Sequence, residues 1–462
     1  MIEIELIGVL GLAGLFFLLL LRVPVGLAMV LIGIGGNFAL SLAVPYLRFE
    51  PYIKQFKTLL WNVVANYDLS VVPLFILMGF LASHSNLSRD LFQGVNALVG
   101  RFKGGVAMAA VGACAGFGAV CGSSLATSST MGRVALPELR RLNYAPSLAT
   151  GALAAGGTLG ILIPPSIALV IYALLVEASI IEMFQAAIVP GIMAVAGFIV
   201  VIAIIVRVNP DAAPKPEPMK GTVRSRAIKR LIPVLLIFGG IIAGLGMGVF
   251  TPTPAAGVGV FVIFCYGLIL RNWGDGLTLS GIKKSLLDTA VTSGMIYFIL
   301  FGAEIIKSFF TRAGLPAALA NWSGASGMDP WLVLICMLIL LIILGCFMES
   351  LSMILVVIPF FWPVLIVLNG GDYVTAADAA FGMDTEQLKV WFGILALVVV
   401  ELGLITPPVG LNVFIISSLA KDVPMKTIFK GVMPFFSVEI VRIGFILAFP
   451  ALTLFLPKFL SG

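Results

Sequence analysis

The amino-acid sequence predicts an all-α, polytopic membrane protein built as an inverted-topology repeat, with two re-entrant helical hairpins and two Pro-broken spans. Three observations carry this prediction. Of 462 residues, 60% are hydrophobic and only 11% charged, with a mean hydropathy of +1.14, whereas a soluble domain carries about 25% charged residues. A polar island of Gly, Ser and Thr from Gly122 to Thr130 interrupts apolar sequence, and a second, Met348 to Ser352, occupies the corresponding place in the second half. In hydrocarbon, unpaired backbone groups are costly, so non-helical backbone persists there only where it is buried in protein or lines a cavity. Finally, matching segments recur in the same order through both halves.

Taken in chain order, many apolar runs approach the ~20 residues needed to cross a ~30 Å hydrocarbon core. Met1 to Leu21 lacks a basic leader and a small-residue cleavage site, so it reads as a first span and not a removed signal. The first repeat (1–206) then holds spans near 24–44, 69–83, 148–178 (interrupted at Pro164) and 187–206, with a hairpin at about 105–139. A Pro-rich, then basic, linker covers 207–230. The second repeat (231–462) starts with spans near 231–249 and 253–270 and holds a hairpin at about 330–368 and a broken span at about 390–420. Stretches 51–64 and 273–287 mix charges with apolar residues at helical spacing and read as interfacial helices along the bilayer.

The repeat is traced by its offsets. Phe75–Gly79 (FILMG) recurs as Phe298–Gly302 (FILFG) at 223; Ser124 and Pro137 match Ser350 and Pro363 at 226; Pro164-Pro165 matches Pro407-Pro408 at 243. The offset grows through an insertion spanning about 369–389, as in a duplication that has gained a loop. Five crossings in the first half turn the second upside down. With the N-terminus periplasmic, Arg22, Arg89, Arg101, Lys103, Arg140, Arg141, Arg271, Lys283, Lys284, Lys421 and Lys426 fall inside, following the positive-inside rule. The acidic insertion falls outside; Lys54, Lys307 and Arg312 also fall outside, against the trend.

Four pieces converge on a midplane site. They are the Gly122–Thr130 tip, the Gly156–Ser166 break (GGTLGILIPPS), the Met348–Ser352 tip and the Glu401–Asn412 break (ELGLITPPVGLN). Proline removes an N–H and frees a carbonyl of the preceding turn, which sets backbone oxygens beside hydroxyl-rich tips. Such an oxygen set serves a small hard cation such as Na+, and half-helix N-termini face an anion. Close helix packing is the competing explanation for any one motif alone. Glu349 and Glu401, at membrane depth, read either as proton-coupled groups or as buried structural partners. Arg133 either counters an anionic substrate or snorkels or pairs with Glu138. Glu304 and Lys307 read as an interfacial ion pair, and His84, the one histidine, as a solvated loop residue.

These motifs resemble the large membrane subunit of tripartite ATP-independent periplasmic (TRAP) transporters. The resemblance rests on Pro73–Gly79, on the run from Gly122 to Glu138, on Gly156–Ser166, Phe250–Thr253, Phe347–Glu349 and Glu401–Asn412, in the family's order. It implies an elevator-type, sodium-coupled secondary importer of a small organic anion, a carboxylate or sulfonate, in the bacterial inner membrane. It also implies two protein partners: a small four-helix TRAP membrane subunit and a periplasmic substrate-binding protein. Carried over by position, it implies Ser123, Ser124, Gly157, Thr158 and Pro164 as ligands of one sodium ion. Ser350, Ser352, Gly403, Thr406 and Pro408 are implied for its mate. Thr127, Ser128, Ser129, Glu349 and Arg133 are then the substrate-binding candidates. Leu125 and Pro254 depart from the family, which often has Pro and Glu at these places.

Other classes fare worse. An intramembrane enzyme needs a nucleophile–base pair or metal ligands, and the chain has one histidine and no HExxH; a primary pump needs a phosphate-binding GxxxxGK[ST], which is absent. The five cysteines lack CxxC spacing and read as free small hydrophobes, so no transition metal and no cofactor is expected. The net charge of +6 sits in short loops between spans and implies the bilayer, not nucleic acid, as partner. The remaining alternative is a stand-alone ion-coupled carboxylate symporter that needs no binding protein.

Overall fold

The computed structural model describes residues 2–21, 23–44, 46–214, 221–271, 276–325 and 327–461, and every regular element among them is helical. Arg22, the linker's Lys215 and Lys220, and Trp273 of the second interfacial stretch lie outside the described residues. Seven described helices are long and apolar enough to cross a membrane, or up to nine if each of two bent helix pairs is one span. Large apolar side chains such as Leu236, Phe261 and Val291 are about two-thirds or more exposed. In water such a surface would be an aggregation liability; a bilayer solvates it.

The chain divides into two units, each drawing on sequence from both sides of the linker. One comprises residues 1–70, 290–339 and 351–388; the other comprises 71–289, 340–350 and 389–462. In the first unit, Arg312 is gripped from three sides. Its Nη1 donates to Oδ1 of the fully buried Asn37 at 2.7 Å, its Nη2 donates to the Arg48 carbonyl at 3.2 Å, and its guanidinium lies 5.3 Å from the Tyr52 ring centroid. A cation that runs against the loop-charge trend is thus held by an amide, a carbonyl and an aromatic face. The acidic insertion of the same unit is organised around Asn369, whose side chain donates to the Met383 carbonyl and accepts from the Phe381 N–H at 3.0 and 3.1 Å.

In the second unit, helices Gly105–Cys121 and Ser124–Arg141 form the first hairpin, and both pack on helix Pro146–Leu162. At 17 residues, Gly105–Cys121 is short for a crossing. Its approach to the broken span is backbone to backbone: a Cβ added at Gly118 would stand 2.5 Å from the Gly160 Cα. Small residues allow this close packing where lipid supplies no hydrophobic drive.

Three expectations are corrected. Residues 279–287 are not an interfacial helix of their own but the first turns of Leu279–Arg312, a 34-residue helix with no proline to stop it. At 1.5 Å per residue it is about 51 Å long, so its charged first turns project beyond a ~30 Å core. His84 is not a loop residue: it ends helix Val71–His84, half-buried, with Nδ1 2.9 Å from the Phe80 carbonyl and 3.2 Å from Ser285 Oγ. Glu304 and Lys307 form no ion pair with each other among the described residues; Lys307 is exposed, where water competes for it.

Candidate functional site

The first tip exists because helix Gly105–Cys121 cannot continue through Gly122, which turns left-handed at φ +56°. Ser123 then extends and caps the next helix, its Oγ accepting from the Ala126 N–H at 3.4 Å. A Cβ on Gly122 would lie 3.2 Å from the Ile167 nitrogen and 3.3 Å from the Pro165 carbonyl, so this tip rests against the first break. The dihedral strains any side chain there and the clearance is tight. Gly122→Ala is expected to cost about 1–2 kcal/mol from the dihedral alone, read as a lower Tm of the purified protein.

The break itself bends Pro146–Leu162 from Ile167–Val176 by 45°, with Ser166 restarting the helix by accepting from the Leu169 N–H at 3.3 Å. The second break, Leu404 to Gly410, is held to Cys346, two residues before the second tip. The Gly410 N–H donates to the Cys346 carbonyl at 3.3 Å, and the Cys346 thiol donates to the Pro407 carbonyl at 3.4 Å. Both Pro-Pro peptides are cis.

The two tips meet on Glu401, which is 1% exposed. Ser124 Oγ donates to its Oε2, and Ser350 Oγ donates to its Oε1 at 2.6 Å. Two hydroxyls assigned above to separate sodium sites therefore share one carboxylate. Among the described residues, Glu401 forms no ion pair. At the repeat offset of 243 it stands where the first half has Thr158, a buried residue whose hydroxyl donates to the Ala155 carbonyl at 2.7 Å. Thr406 behaves similarly, donating to Leu402 at 2.6 Å. Each hydroxyl keeps lone pairs for a further ligand.

A second polar cluster surrounds Gly157. Ser128 and Asn412 are fully buried, and Ser128 Oγ, Asn412 Nδ2 and Asn412 Oδ1 have no hydrogen-bond partner among the described residues. A Cβ on Gly157 would overlap Ser128 Oγ and lie 3.2 Å from Asn412 Nδ2. Asn412 was not singled out in the sequence. Matching the sequence halves by offset hides it, because Leu169 falls at the position 243 residues earlier.

The other candidates scatter. Thr127 is buried and bonded to Cys121, Oγ1 to Sγ at 3.0 Å. Ser123, Ser129 and Glu349 are half-buried, Gly403 and Pro164 buried, and Pro408 exposed. Ser352 is buried in the other unit. Arg133 is exposed and makes no hydrogen bond or ion pair among the described residues. Glu138, offered as its mate, binds Arg141 instead at 2.7 and 2.9 Å. Residues three apart share a helix face and residues five apart do not. The hydrogen bond from Arg141 holds the Glu138 carboxyl below the usual carboxylate range. Sequence reasoning also missed a buried pair, Glu439 with Arg442, although two opposite charges three apart in an otherwise apolar run are the signal that marks it.

The chain matches the family described as "Tripartite ATP-independent periplasmic transporter, DctM component" over residues 12–452. It is 34% identical over 429 residues to the C4-dicarboxylate TRAP transporter large permease protein of Pseudomonas aeruginosa, covering 92% of this chain and 94% of that one. Its likeness to the protein of the same description from Rhodobacter capsulatus is 30% over 456 residues, covering 94% and 98%. The sialic acid TRAP transporter large permease protein of Vibrio cholerae is 29% identical over 403 residues, covering 86% and 88%. Among solved structures, the Alcanivorax borkumensis YdaH transporter superposes with a TM-score of 0.61 at 15% identity, covering 87% of this chain and 89% of that one. That likeness is one of fold.

Proposed function

The chain belongs to the DctM component family of tripartite ATP-independent periplasmic transporters, and on that premise we propose that it is a sodium-coupled importer of a small organic anion working by an elevator movement. It is a multi-pass membrane permease and not an enzyme. Family membership implies a small membrane subunit, a periplasmic binding protein that delivers the anion, and an inner-membrane location. The distribution of loop cations supports a periplasmic N-terminus.

The observation that carries the reading is the meeting of both tips on Glu401. A hard monovalent cation takes oxygen ligands, and a hydroxyl from each tip converges on one buried carboxylate. Sodium binding then orders the tips, and ordered tips complete the anion site. Ser124→Ala and Thr406→Val are each expected to weaken the sodium dependence of uptake in proteoliposomes several-fold while leaving folding largely intact, with some loss of Tm for Ser124→Ala because Glu401 loses a donor. Unchanged sodium dependence in both variants would overturn the assignment. The tripartite family speaks against a stand-alone symporter, and uptake that proceeds without a binding protein would reverse that.

A further inference from the structure

The polar atoms around Gly157 have no part in the sodium assignment. Ser128 lies in the second turn of helix Ser124–Arg141 and Asn412 in the first turn of Leu411–Leu419, and the two converge over a residue with no side chain. Asn412 is fixed from behind, its own N–H donating to the Leu404 carbonyl across the break at 3.0 Å. A buried polar atom without a partner costs about 1–3 kcal/mol, and three lie together here. Such groups call for a ligand that pairs them.

The chemistry of that ligand follows from what is unpaired. The amide presents a donor and an acceptor side by side, and the serine hydroxyl serves as either. A bare carboxylate or sulfonate satisfies the donors and leaves Oδ1 unmet. A cation satisfies Oδ1 and Ser128 Oγ but faces the Nδ2 hydrogens. A carboxylate with a hydroxyl on the adjacent carbon satisfies all three. We propose that Ser128 and Asn412, over Gly157, form a recognition subsite for a 2-hydroxycarboxylate. Nδ2 and Ser128 Oγ donate to the carboxylate, and the ligand's hydroxyl donates to Oδ1. Since both side chains are fully buried, the ligand enters when the first tip parts from the breaks.

This inference rests on the transport reading and names its substrate class. The test uses the purified membrane complex in nanodiscs, with thermal stabilisation measured in sodium chloride against choline chloride. Two ligand pairs that differ by one hydroxyl are then titrated: L-malate against succinate, and lactate against propionate. In sodium, the hydroxylated member of at least one pair is expected to bind about tenfold more tightly, which is ~1.4 kcal/mol. Asn412→Ala is expected to erase that preference without lowering the ligand-free Tm, because it removes atoms that have no partner. Equal responses within both pairs, including no response, overturn the subsite, as does a preference that survives Asn412→Ala. A wild-type protein that sodium fails to stabilise overturns the transport reading instead, so the two failures are separable.

Discussion

Glu401→Leu is expected to cut uptake at least about tenfold while leaving the helical fold intact. The carboxylate is the acceptor for Ser124 and Ser350, which are 1% exposed. Leucine fills a similar volume but leaves both hydroxyls buried without a partner, at about 1–3 kcal/mol each. The tips then lose the carboxylate that their two serines share. Glu401→Gln separates shape from chemistry: its oxygen still accepts from one serine, while its NH2 donates and forces the other hydroxyl to turn. Activity is therefore expected to fall in the order Glu, Gln, Leu. Initial uptake rates in proteoliposomes, scaled to folded protein by Tm and yield, check the series. A Leu variant at the wild-type rate would reduce Glu401 to a packing residue.

Arg442→Leu is expected to lower stability. Arg442 and Glu439 are 3% and 2% exposed, paired to each other on helix Met425–Ala448. Arg442 Nη1 also donates to the Pro190 carbonyl at 3.0 Å, tying in helix Ile180–Val208. Removing the cation strands a carboxylate in a dry interior, which costs about 3–5 kcal/mol. Removing both charges leaves nothing stranded, so Glu439→Leu combined with Arg442→Leu is expected to recover most of that loss. Denaturant or thermal unfolding of the two variants checks the pair. Equal losses in the single and double variants would mean that the Pro190 hydrogen bond, and not the ion pair, carries the effect.

The membrane character and the places where backbone leaves the helix were legible because they are local. Hydropathy marks a span, Pro-Pro breaks a helix, and Gly122 with Ser123 ends one helix and caps the next. What joins distant segments was not legible. Ser124 and Ser350 lie 277 and 51 residues from Glu401, and no local pattern states that their hydroxyls share it. Polar islands in apolar sequence marked the tips, but matching the two halves by offset drew attention away from Glu401 and Asn412, which fall opposite Thr158 and Leu169. Charge spacing misled as well. Arg141 outcompetes Arg133 for Glu138 by its position on the helix, and the charged turns after residue 279 continue into a long apolar helix in place of forming one of their own.

The shared carboxylate also means that the two tips cannot be energetically independent. Whatever draws Ser124 away from Glu401 changes the charge seen by Ser350, and the converse holds. Linkage makes such an effect reciprocal: the factor by which occupancy at one tip alters affinity at the other must be returned unchanged. Coupled sites of this kind are expected to titrate away from a simple hyperbola, and severing either serine from Glu401 is expected to restore independent binding.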